Sequence, residues 1–343
     1  MFELRNIVRE NIKNLTAYSS ARDEFKGDAN VFLDANESPF GNLNRYPDSN
    51  QSEIKSILVD EKGLTMNQIF VGNGSDEAID LAFRIFCNPG IDKAMVFTPT
   101  YGMYEVSARI NDIGLIEVPL NKDFQIDTTD LVGYFLNPKL KLVFICSPNN
   151  PTGNSIEIET IEWMLENFRG MVIVDEAYID FSEKESMVQL IEKYSNLIVL
   201  QTMSKARALA AARVGFAFAT KDIIELFNKV KPPYNVSSLS QKSAALALRD
   251  QKKYQTELKT LLENKGILQE ALIALKVVEK VYPSDANFLL VAFTWNAMEI
   301  YNTLITAGVV TRNRSQLVAN CLRISVGTKS ENQLLINCLK EIK

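Results

Sequence analysis

Three residues that follow apolar segments have the types needed for chemistry on a small anionic molecule. Lys205 lies between the apolar run 197–200 and the small-residue run 208–212. Burial there lowers the pKa of a lysine and exposes an amine nucleophile, whereas most lysines are solvated surface charges. Arg213 can clamp a phosphate through two hydrogen bonds, and Asp175, at the end of another apolar run, can pair with a protonated heterocycle.

The 343-residue chain contains no histidine, which restricts the mechanisms open to it. Ser-His-Asp and Cys-His nucleophiles, imidazole zinc sites and histidine general bases are excluded, and we expect no metal site. Proton transfer must fall to Lys, Tyr, Asp, Glu, Cys or a cofactor. The net charge of −5, from 37 basic and 42 acidic residues, argues against a nucleic-acid surface as the main function.

Short apolar runs alternate with amphipathic stretches and predict the elements that position these residues. This alternation is typical of a mostly parallel sheet covered by helices on both faces. We predict strands at 69–71, 94–97, 140–146, 171–174, 197–200 and 214–219. In such sheets, ligands bind at the carboxyl ends of the strands. Four of these ends are followed by polar segments: 72–77, 147–153, 175–178 and 201–205.

The first of these segments, Gly-Asn-Gly-Ser-Asp-Glu at 72–77, opens directly into a predicted helix. Free backbone N–H groups at a helix N-terminus form a cradle for an anion. The alternative is a plain helix cap, with Ser75 as the capping residue and with Asp76 and Glu77 favoured by the helix dipole. Considered alone, this segment favours the cap. It is not a P-loop, because no Gly-Lys-Ser/Thr sequence follows.

The composition changes after the turn at 231–234, which indicates a second domain. From Ser240 to about Leu275 the pattern is long, charged and helical, and strand-like segments follow at 287–293 and 322–326. We therefore predict an α/β fold with two parts. The large domain comprises residues 31–235, and a smaller α+β domain comprises residues 1–30 and 236–343.

Neither a targeting segment nor a membrane span is predicted. The N-terminus lacks the apolar core of a signal peptide, and no apolar stretch approaches the roughly 18 residues that a span needs. The cysteines are far apart and form no Cys-x-x-Cys pair, which favours buried thiols in a reducing compartment. We expect a cytoplasmic protein. The four cysteines are Cys87, Cys146, Cys321 and Cys338.

Pyridoxal phosphate (PLP) requires a nucleophilic lysine, a site for its phosphate, and an acid that pairs with its protonated ring nitrogen. It also requires amide or phenol groups that form hydrogen bonds to the ring. The motifs that carry these groups are Asn-Asn-Pro-Thr-Gly at 149–153, Asp-Glu-Ala-Tyr at 175–178, and Ser-Lys at 204–205 with a following arginine. They resemble those of the fold type I PLP-dependent aminotransferases. The resemblance implies a PLP cofactor, a large domain with a mostly parallel sheet between helices, and a smaller α+β domain.

One branch of that family, the histidinol-phosphate aminotransferases, is similar over nearly the whole chain, from about Asn11 to the final helix. The segments that carry this closer resemblance are 15–22, 34–37, 44–47, 99–104 and 321–328. The branch resemblance implies amino transfer from L-histidinol phosphate to 2-oxoglutarate. The products would be imidazole acetol phosphate and glutamate, a step of histidine biosynthesis.

The resemblance also implies roles for residues of the four polar segments. Lys205 would hold PLP covalently and move a proton between the substrate Cα and the cofactor. Asp175 would keep the ring nitrogen protonated, and Asn150 and Tyr178 would hydrogen-bond the ring hydroxyl.

Further contacts to the cofactor are implied at its ring face and its phosphate. Tyr101 would stack on the ring, although it could be a core tyrosine with Tyr104 taking its place. Tyr46 would reach the phosphate from the other subunit, so a homodimer with shared sites is expected. The remaining phosphate ligands would be Ser75, Asp76, Ser204 and Arg213.

The substrate's anionic end needs arginine, and the resemblance implies where it comes from. Arg323 matches the family's carboxylate- or phosphate-binding arginine. Arg312 fits a second family arginine, although Arg314 is near enough to be confused with it. Tyr18 and Arg22 match an N-terminal segment that folds over the substrate phosphate.

One segment departs from the family pattern. Relatives carry a Phe-Gly-Leu-Ala-Gly type of sequence after the lysine, whereas this chain has Arg-Ala-Leu-Ala-Ala at 207–211. Alanine restricts the close backbone approach that glycine permits. Arg207 places a second cation two residues from Lys205, unless its side chain is turned to solvent or to an acid.

Three other functions stay open on the sequence. An aromatic amino-acid aminotransferase would use the same scaffold, and an amino-acid-phosphate decarboxylase would keep the cofactor and break a different bond. Arg323 can serve a phosphate or a carboxylate, so it does not decide between them. A ligand sensor built on this fold needs an effector domain, and residues 1–30 are too short for one.

Overall fold

Seven strands form the larger sheet in the computed structural model, which describes residues 2–19, 24–25, 27 and 29–342. Their order is β1-β7-β6-β5-β4-β2-β3. All neighbouring pairs are parallel except those that involve β7, which runs antiparallel to both β1 and β6. The strands are β1 Ile69–Gly72, β2 Lys93–Thr98, β3 Gly114–Pro119, β4 Leu140–Cys146, β5 Met171–Asp175, β6 Leu197–Thr202 and β7 Gly215–Phe218.

Helices cover both faces of this sheet because successive strand residues point to opposite sides. In β5, Val172 and Val174 face one core, while Met171 and Ile173 face the other. In chain order, the helices that precede or accompany the sheet are α1 Leu4–Ile7, α2 Glu10–Lys13, α3 Ser52–Lys62, α4 Ser75–Phe86, α5 Met103–Ile110, α6 Leu131–Phe135, α7 Ile158–Asn167, α8 Lys221–Val230 and α9 Ser238–Arg249.

A second sheet of four strands follows in the C-terminal part of the chain. Its order is β10-β11-β9-β8, and every neighbouring pair is antiparallel. Apolar residues of these strands and of three helices share one core. The elements are α10 Gln251–Ile273, β8 Val278–Val281, β9 Phe288–Phe293, α11 Ala297–Thr306, β10 Arg312–Asn313, β11 Cys321–Ser325 and α12 Lys329–Lys340.

The predicted α/β fold class is confirmed. Every strand that the apolar runs predict is present, either in the mostly parallel larger sheet or in the antiparallel second sheet. Two details differ. The long helical pattern after Ser240 is two helices, broken at Asp250, whose carboxylate accepts the Lys253 N–H of α10 at 3.1 Å. Strand β3 was not expected, because its side chains are only partly buried at the sheet edge.

The division of the chain into domains stays a prediction. The structure adds that the first helices pack on the larger sheet: Ile7, Val8 and Ile12 are buried in the core that contains α4 and α8. None of the helices in the described part of the chain is both long and apolar enough to cross a membrane.

Candidate active site

The polar segments that follow the strands meet at one edge of the larger sheet. The ends of β1 and β6 pair with the start of β7, since Gly72 and Thr202 both lie opposite Gly215. A Cβ at Gly215 would lie 2.2 Å from the backbone nitrogen of Ser75. Only glycine permits this approach between the strand and the N-terminus of α4.

A cavity of about 120 Å³ opens at this edge. It brings together nine of the ten residues that the sequence suggested for cofactor binding, although their roles stay predictions. Those nine are Ser75, Asp76, Tyr101, Asn150, Asp175, Tyr178, Ser204, Lys205 and Arg213; Cys146, Ala177, Thr202 and Ala210 complete the wall.

Lys205 is half-buried in this cavity, with its Nζ 5.6 Å from the centre of the Tyr178 ring. Burial lowers the pKa of Lys205, and the positive charge of Arg323 lowers it further, against the opposing effect of Asp175. A larger share of its amine is therefore neutral near pH 7 to 8 than in a solvated lysine. Such an amine can act as a nucleophile and as a base.

Asp175 is a buried carboxylate at the end of β5. One of its oxygens accepts the Tyr104 hydroxyl at 2.8 Å, and the other accepts the Ala177 N–H at 3.1 Å. Burial raises the pKa of Asp175 to about 6, although the two hydrogen bonds oppose the shift. The group is thus mostly ionised at neutral pH and can pair with a protonated ring nitrogen.

Tyr101 and Tyr104 have different positions, which separates the two choices left open by the sequence. Tyr101 lines the cavity and donates its hydroxyl to Asp76 at 3.1 Å. Tyr104 is fully buried behind it and holds Asp175. The contact between Tyr104 and Asp175 was missed, because no local spacing in the sequence relates residues 71 positions apart.

The start of α4 and Arg213 form a cradle for an anion. Gly74 is the capping residue, with φ +81° and no side chain to occupy the first N–H groups of the helix, so the alternative of a Ser75 cap is wrong. Arg213 Nη2 lies 3.2 Å from Asp76, and its Nη1 lies 3.5 Å from the Ser204 hydroxyl. A Cβ at Gly74 would be 2.7 Å from Arg213 Nη2, so the space beside the guanidinium exists because residue 74 is glycine.

Asn150 links the cavity to the second sheet. Its amide nitrogen donates to the Tyr178 hydroxyl at 3.5 Å, and its oxygen accepts from Arg323 Nη1 at 2.6 Å. Burial raises the pKa of Tyr178, so the phenol stays neutral and can donate a hydrogen bond. Arg323 of β11 is therefore held beside the cavity through a residue of the loop that follows β4.

Three arginines cluster beside this cavity. Arg312 lies opposite Arg323 in the β10–β11 pair, and Arg314 follows two residues later. Arg312 and Arg314 line a neighbouring cavity of about 440 Å³ that shares Tyr101 and Asn150 with the first. Since both arginines line it, either can contact a bound molecule.

Within the described ranges, no carboxylate forms an ion pair with any of the three arginines. The Nε atoms of Arg314 and Arg323 are buried and have no partner there. Burial, followed by repulsion from Arg323, lowers the pKa of Arg314. Cations without ion-pair partners in the described ranges, two of them partly desolvated, are suited to bind an anion with high charge.

Two predicted residues lie away from the lysine cavity, and a third is not described. Tyr46 stacks on Tyr234 with 4.4 Å between ring centres, in a separate cavity of about 620 Å³. Tyr18 is 73% exposed and lines neither the lysine cavity nor the one beside it. Arg22 lies outside the described residues.

Arg207 does not add a free cation to the site. Its Nη2 lies 3.1 and 3.2 Å from the two carboxylate oxygens of Glu61, so the expected alternative of an acid partner is confirmed.

This α/β scaffold presents a half-buried lysine, a buried carboxylate and an anion cradle at the carboxyl ends of its strands. Such a site is typical of cofactor-dependent enzymes that act on small anionic molecules. The sequence model of the family described as aminotransferase class I and II matches residues 14–339, and the chain belongs to that family. The resemblance stated from the motifs is thereby confirmed.

Relatives within the family are similar over nearly the full length. The chain is 47% identical to the histidinol-phosphate aminotransferase of Flavobacterium psychrophilum over 329 residues, which are 94% of each chain. It is 48% identical to the protein of the same name from Bacteroides fragilis, over 95% of each chain. The crystal structure of the histidinol-phosphate aminotransferase from Clostridium acetobutylicum has the same fold, with a TM-score of 0.79, 24% identity, and coverage of 88% of this chain and 91% of the other.

Proposed function

We propose that this chain is a PLP-dependent aminotransferase that converts L-histidinol phosphate and 2-oxoglutarate to imidazole acetol phosphate and glutamate, in histidine biosynthesis. The name shared by its similar full-length relatives supports the substrate. The observation that carries the proposal is the group of three arginines beside the cavity of Lys205, none of which has an ion-pair partner in the described ranges.

The residues of the smaller cavity fit PLP by their chemistry. The N-terminus of α4, Ser204 and Arg213 would hold its phosphate, and the missing side chain of Gly74 leaves room there. Asp175, mostly ionised above pH 6, would pair with the ring nitrogen. When bound, PLP supplies an electron sink that stabilises negative charge at the substrate Cα.

The protein's own part in the reaction is covalent attachment and proton transfer. Lys205 would bind the cofactor through Nζ and, once the substrate has displaced it, take the proton from the substrate Cα and return it to the cofactor side. Its lowered pKa supports this role, because a base must be neutral before it accepts a proton. Tyr178 and Asn150 would donate hydrogen bonds to the ring hydroxyl and orient the ring.

The arginine cluster would bind the phosphate of the substrate. A phosphate monoester carries a charge of about −1.5 to −2 at pH 7 and offers three acceptor oxygens, so it balances clustered guanidiniums better than a single carboxylate does. Arg323, Arg312 and Arg314 would share these oxygens, and Tyr18 and Arg22 would close over them. The link from Arg323 through Asn150 would couple phosphate binding to the position of the ring.

We further propose that the active form is a cytoplasmic homodimer. The segment 31–46 contains no helix or strand and exposes Val31, Leu33, Phe40 and Leu43. Several large exposed apolar side chains in one segment support an interface between proteins. In the dimer, Tyr46 would reach the cofactor phosphate of the partner subunit. Light scattering on a sizing column tests this, and a monomer that is fully active would overturn it.

A direct substrate comparison tests the proposed reaction. Purified enzyme loaded with PLP is assayed with histidinol phosphate, phenylalanine and threonine phosphate in parallel. We expect kcat/KM for amino transfer to be highest with histidinol phosphate. A preference for phenylalanine would establish the aromatic aminotransferase instead, and release of CO₂ from threonine phosphate would establish the decarboxylase.

Cofactor attachment needs a separate experiment. The loaded protein should absorb visible light, borohydride should bleach that band, and peptide mass spectrometry should then find the label on Lys205. A colourless protein that takes up no PLP would refute the proposed function as a whole.

A further inference from the structure

The turn that follows Lys205 contains a strained residue. Ala208 has φ +54°, in the left-handed region that L-residues with a side chain rarely adopt. The turn is closed by hydrogen bonds from Ala208 N–H to Lys205 C=O at 3.0 Å and from Leu209 N–H to Met203 C=O at 2.9 Å. The methyl group of Ala208 is exposed, so it contributes no core packing that would offset the strain.

Arg207, the residue before it, is clamped on two sides. Its side chain is 8% exposed, and Nη2 bonds both carboxylate oxygens of Glu61 on α3. Its guanidinium carbon lies 3.6 Å from the centre of the Tyr254 ring on α10, which is a stacked cation–π contact. Nη1 is buried without a partner in the described ranges, so Glu61 and the Tyr254 ring account for the clamp.

The two partners of Arg207 are themselves fixed to other parts of the molecule. Glu61 accepts a hydrogen bond from Gln251 at 3.0 Å, where α10 begins. The Tyr254 hydroxyl donates to Asp180 at 2.8 Å, two residues after Tyr178. The clamp therefore joins α3, α10 and the loop after β5 to the turn that carries Lys205.

We propose that Arg207 is a positioning residue that keeps the turn 205–209 in its strained form and thereby sets the position of Lys205. This inference rests on the proposed role of Lys205. The partners of its guanidinium, Glu61 and Tyr254, do not line the lysine cavity, so we infer that Arg207 acts through the backbone. The ion pair with Glu61 also balances the charge of Arg207.

On this proposal, the Arg207 clamp is needed only because the turn at Ala208 is strained. If the clamp holds a turn that alanine disfavours, replacing Ala208 by glycine removes the need for the clamp, because glycine adopts φ +54° without strain. A role of Arg207 in general stability alone gives no such rescue of Lys205.

Four variants test this: Arg207→Gln, Ala208→Gly, the double variant, and Arg249→Gln as a matched control. Arg249 of α9 forms an exposed ion pair with Glu53 at 2.7 Å, away from the turn. The main readout uses cofactor-free protein: the pH midpoint at which a small amine-reactive acetylating reagent labels Lys205, measured by peptide mass spectrometry. Thermal unfolding and kcat/KM of the PLP-loaded enzyme are measured in parallel.

In Arg207→Gln we expect the labelling midpoint to rise toward that of a solvated lysine, since a loosened turn exposes Lys205 to water. We also expect kcat/KM to fall about 10-fold. In the double variant, the labelling midpoint and kcat/KM should return most of the way to their values in the unaltered protein. Ala208→Gly alone and Arg249→Gln should keep the midpoint of the unaltered protein.

An unchanged midpoint in Arg207→Gln would overturn the proposal, and so would a shifted midpoint that Ala208→Gly fails to restore. Both outcomes are separable from failure of the proposed function. Failure of the function appears in the unmodified protein as absence of PLP uptake, before any variant is compared.

Discussion

The lysine cavity on the larger sheet and the arginine cluster on the second sheet handle charge in opposite ways. In the cavity, both carboxylates have partners: Asp76 pairs with Arg213, and Asp175 accepts hydrogen bonds from Tyr104 and Ala177. In the cluster, Arg314 and Arg323 have buried Nε atoms without partners among the described residues. The cavity is thus already organised, whereas the cluster lacks the negative charge that would satisfy it.

This difference indicates how the two regions divide the work. A matched set of groups at the rigid ends of parallel strands suits a cofactor that stays bound through many turnovers. A set of unmatched cations on a short antiparallel pair suits a substrate that brings its own charge and leaves again. Variants in the first region should therefore affect cofactor attachment, and variants in the second should affect substrate affinity.

The largest effect is expected for Lys205→Ala. Without the amine, the cavity loses both its nucleophile and its base, so turnover should fall by at least about 10³-fold. Borohydride should no longer attach PLP to the protein. Lys193→Ala is the control, because Lys193 is an exposed lysine paired with Glu162, and it should keep full activity. Substantial turnover in Lys205→Ala would remove this residue from the mechanism.

Asp175→Asn should also act through the cofactor. The lost charge should weaken PLP binding about 10- to 100-fold at pH 7.5, as for a hydrogen bond to a charged group. Because the pKa of Asp175 is about 6, its carboxylate is present above that pH and protonated below it. PLP affinity of the unaltered protein should therefore fall as the pH is lowered from 7 to 5.

Titration of PLP into both proteins across this pH range measures the effect. The gap between the unaltered protein and Asp175→Asn should close at low pH. A gap that stays constant would mean that the charge of Asp175 does not assist binding.

Arg323→Lys should separate the two regions. Lysine keeps the charge but cannot reproduce the fork of the guanidinium, so kcat/KM for the phosphate substrate should fall about 10- to 100-fold. Most of the loss should be in KM, and PLP binding should change little. Steady-state kinetics and PLP titration measure both, and equal losses in the two would contradict the division of work.

The smallest effect concerns inorganic phosphate and cofactor-free protein. Phosphate at about ten times its Kd should raise the free energy of unfolding by about 1.4 kcal/mol, or Tm by about 1 to 3 °C. We expect the arginine cluster to bind it first, because Arg213 is already paired with Asp76. The double variant Arg312→Gln/Arg314→Gln should therefore lose most of the rise in Tm that phosphate causes. Arg213→Gln should keep most of that rise. The reverse ranking would show that the cradle at α4 is the stronger anion site.

Much of the lysine cavity could be predicted because its residues follow apolar strands directly. In a parallel sheet the strand ends share one edge, so the position of Lys205 or Asp175 in the sequence implies its position in the fold. The family resemblance added roles for Tyr101 and Arg323 that no strand pattern gave. Tyr46 stays a prediction about a partner subunit.

What could not be predicted depends on pairs of side chains that are distant in sequence. The bond from Tyr104 to Asp175 spans 71 residues, and the stack of Arg207 on Tyr254 joins two elements whose packing no local pattern reveals. The same holds for the charge balance. The sequence alone gives no sign that Arg213 has an acid partner, or that Arg323 has none among the described residues.

The sequence by itself determined the class of chemistry. Without histidine, and with a lysine, an aspartate and an arginine placed after buried strands, it predicted cofactor-dependent chemistry and the edge of the sheet where these residues meet. Tertiary structure decided which groups are charged and which are already satisfied. Burial sets the pKa values of Asp175 and Lys205, and the fold groups Arg312, Arg314 and Arg323 without an ion-pair partner in the described residues. Desolvation and pairing of this kind arise only when distant segments come together.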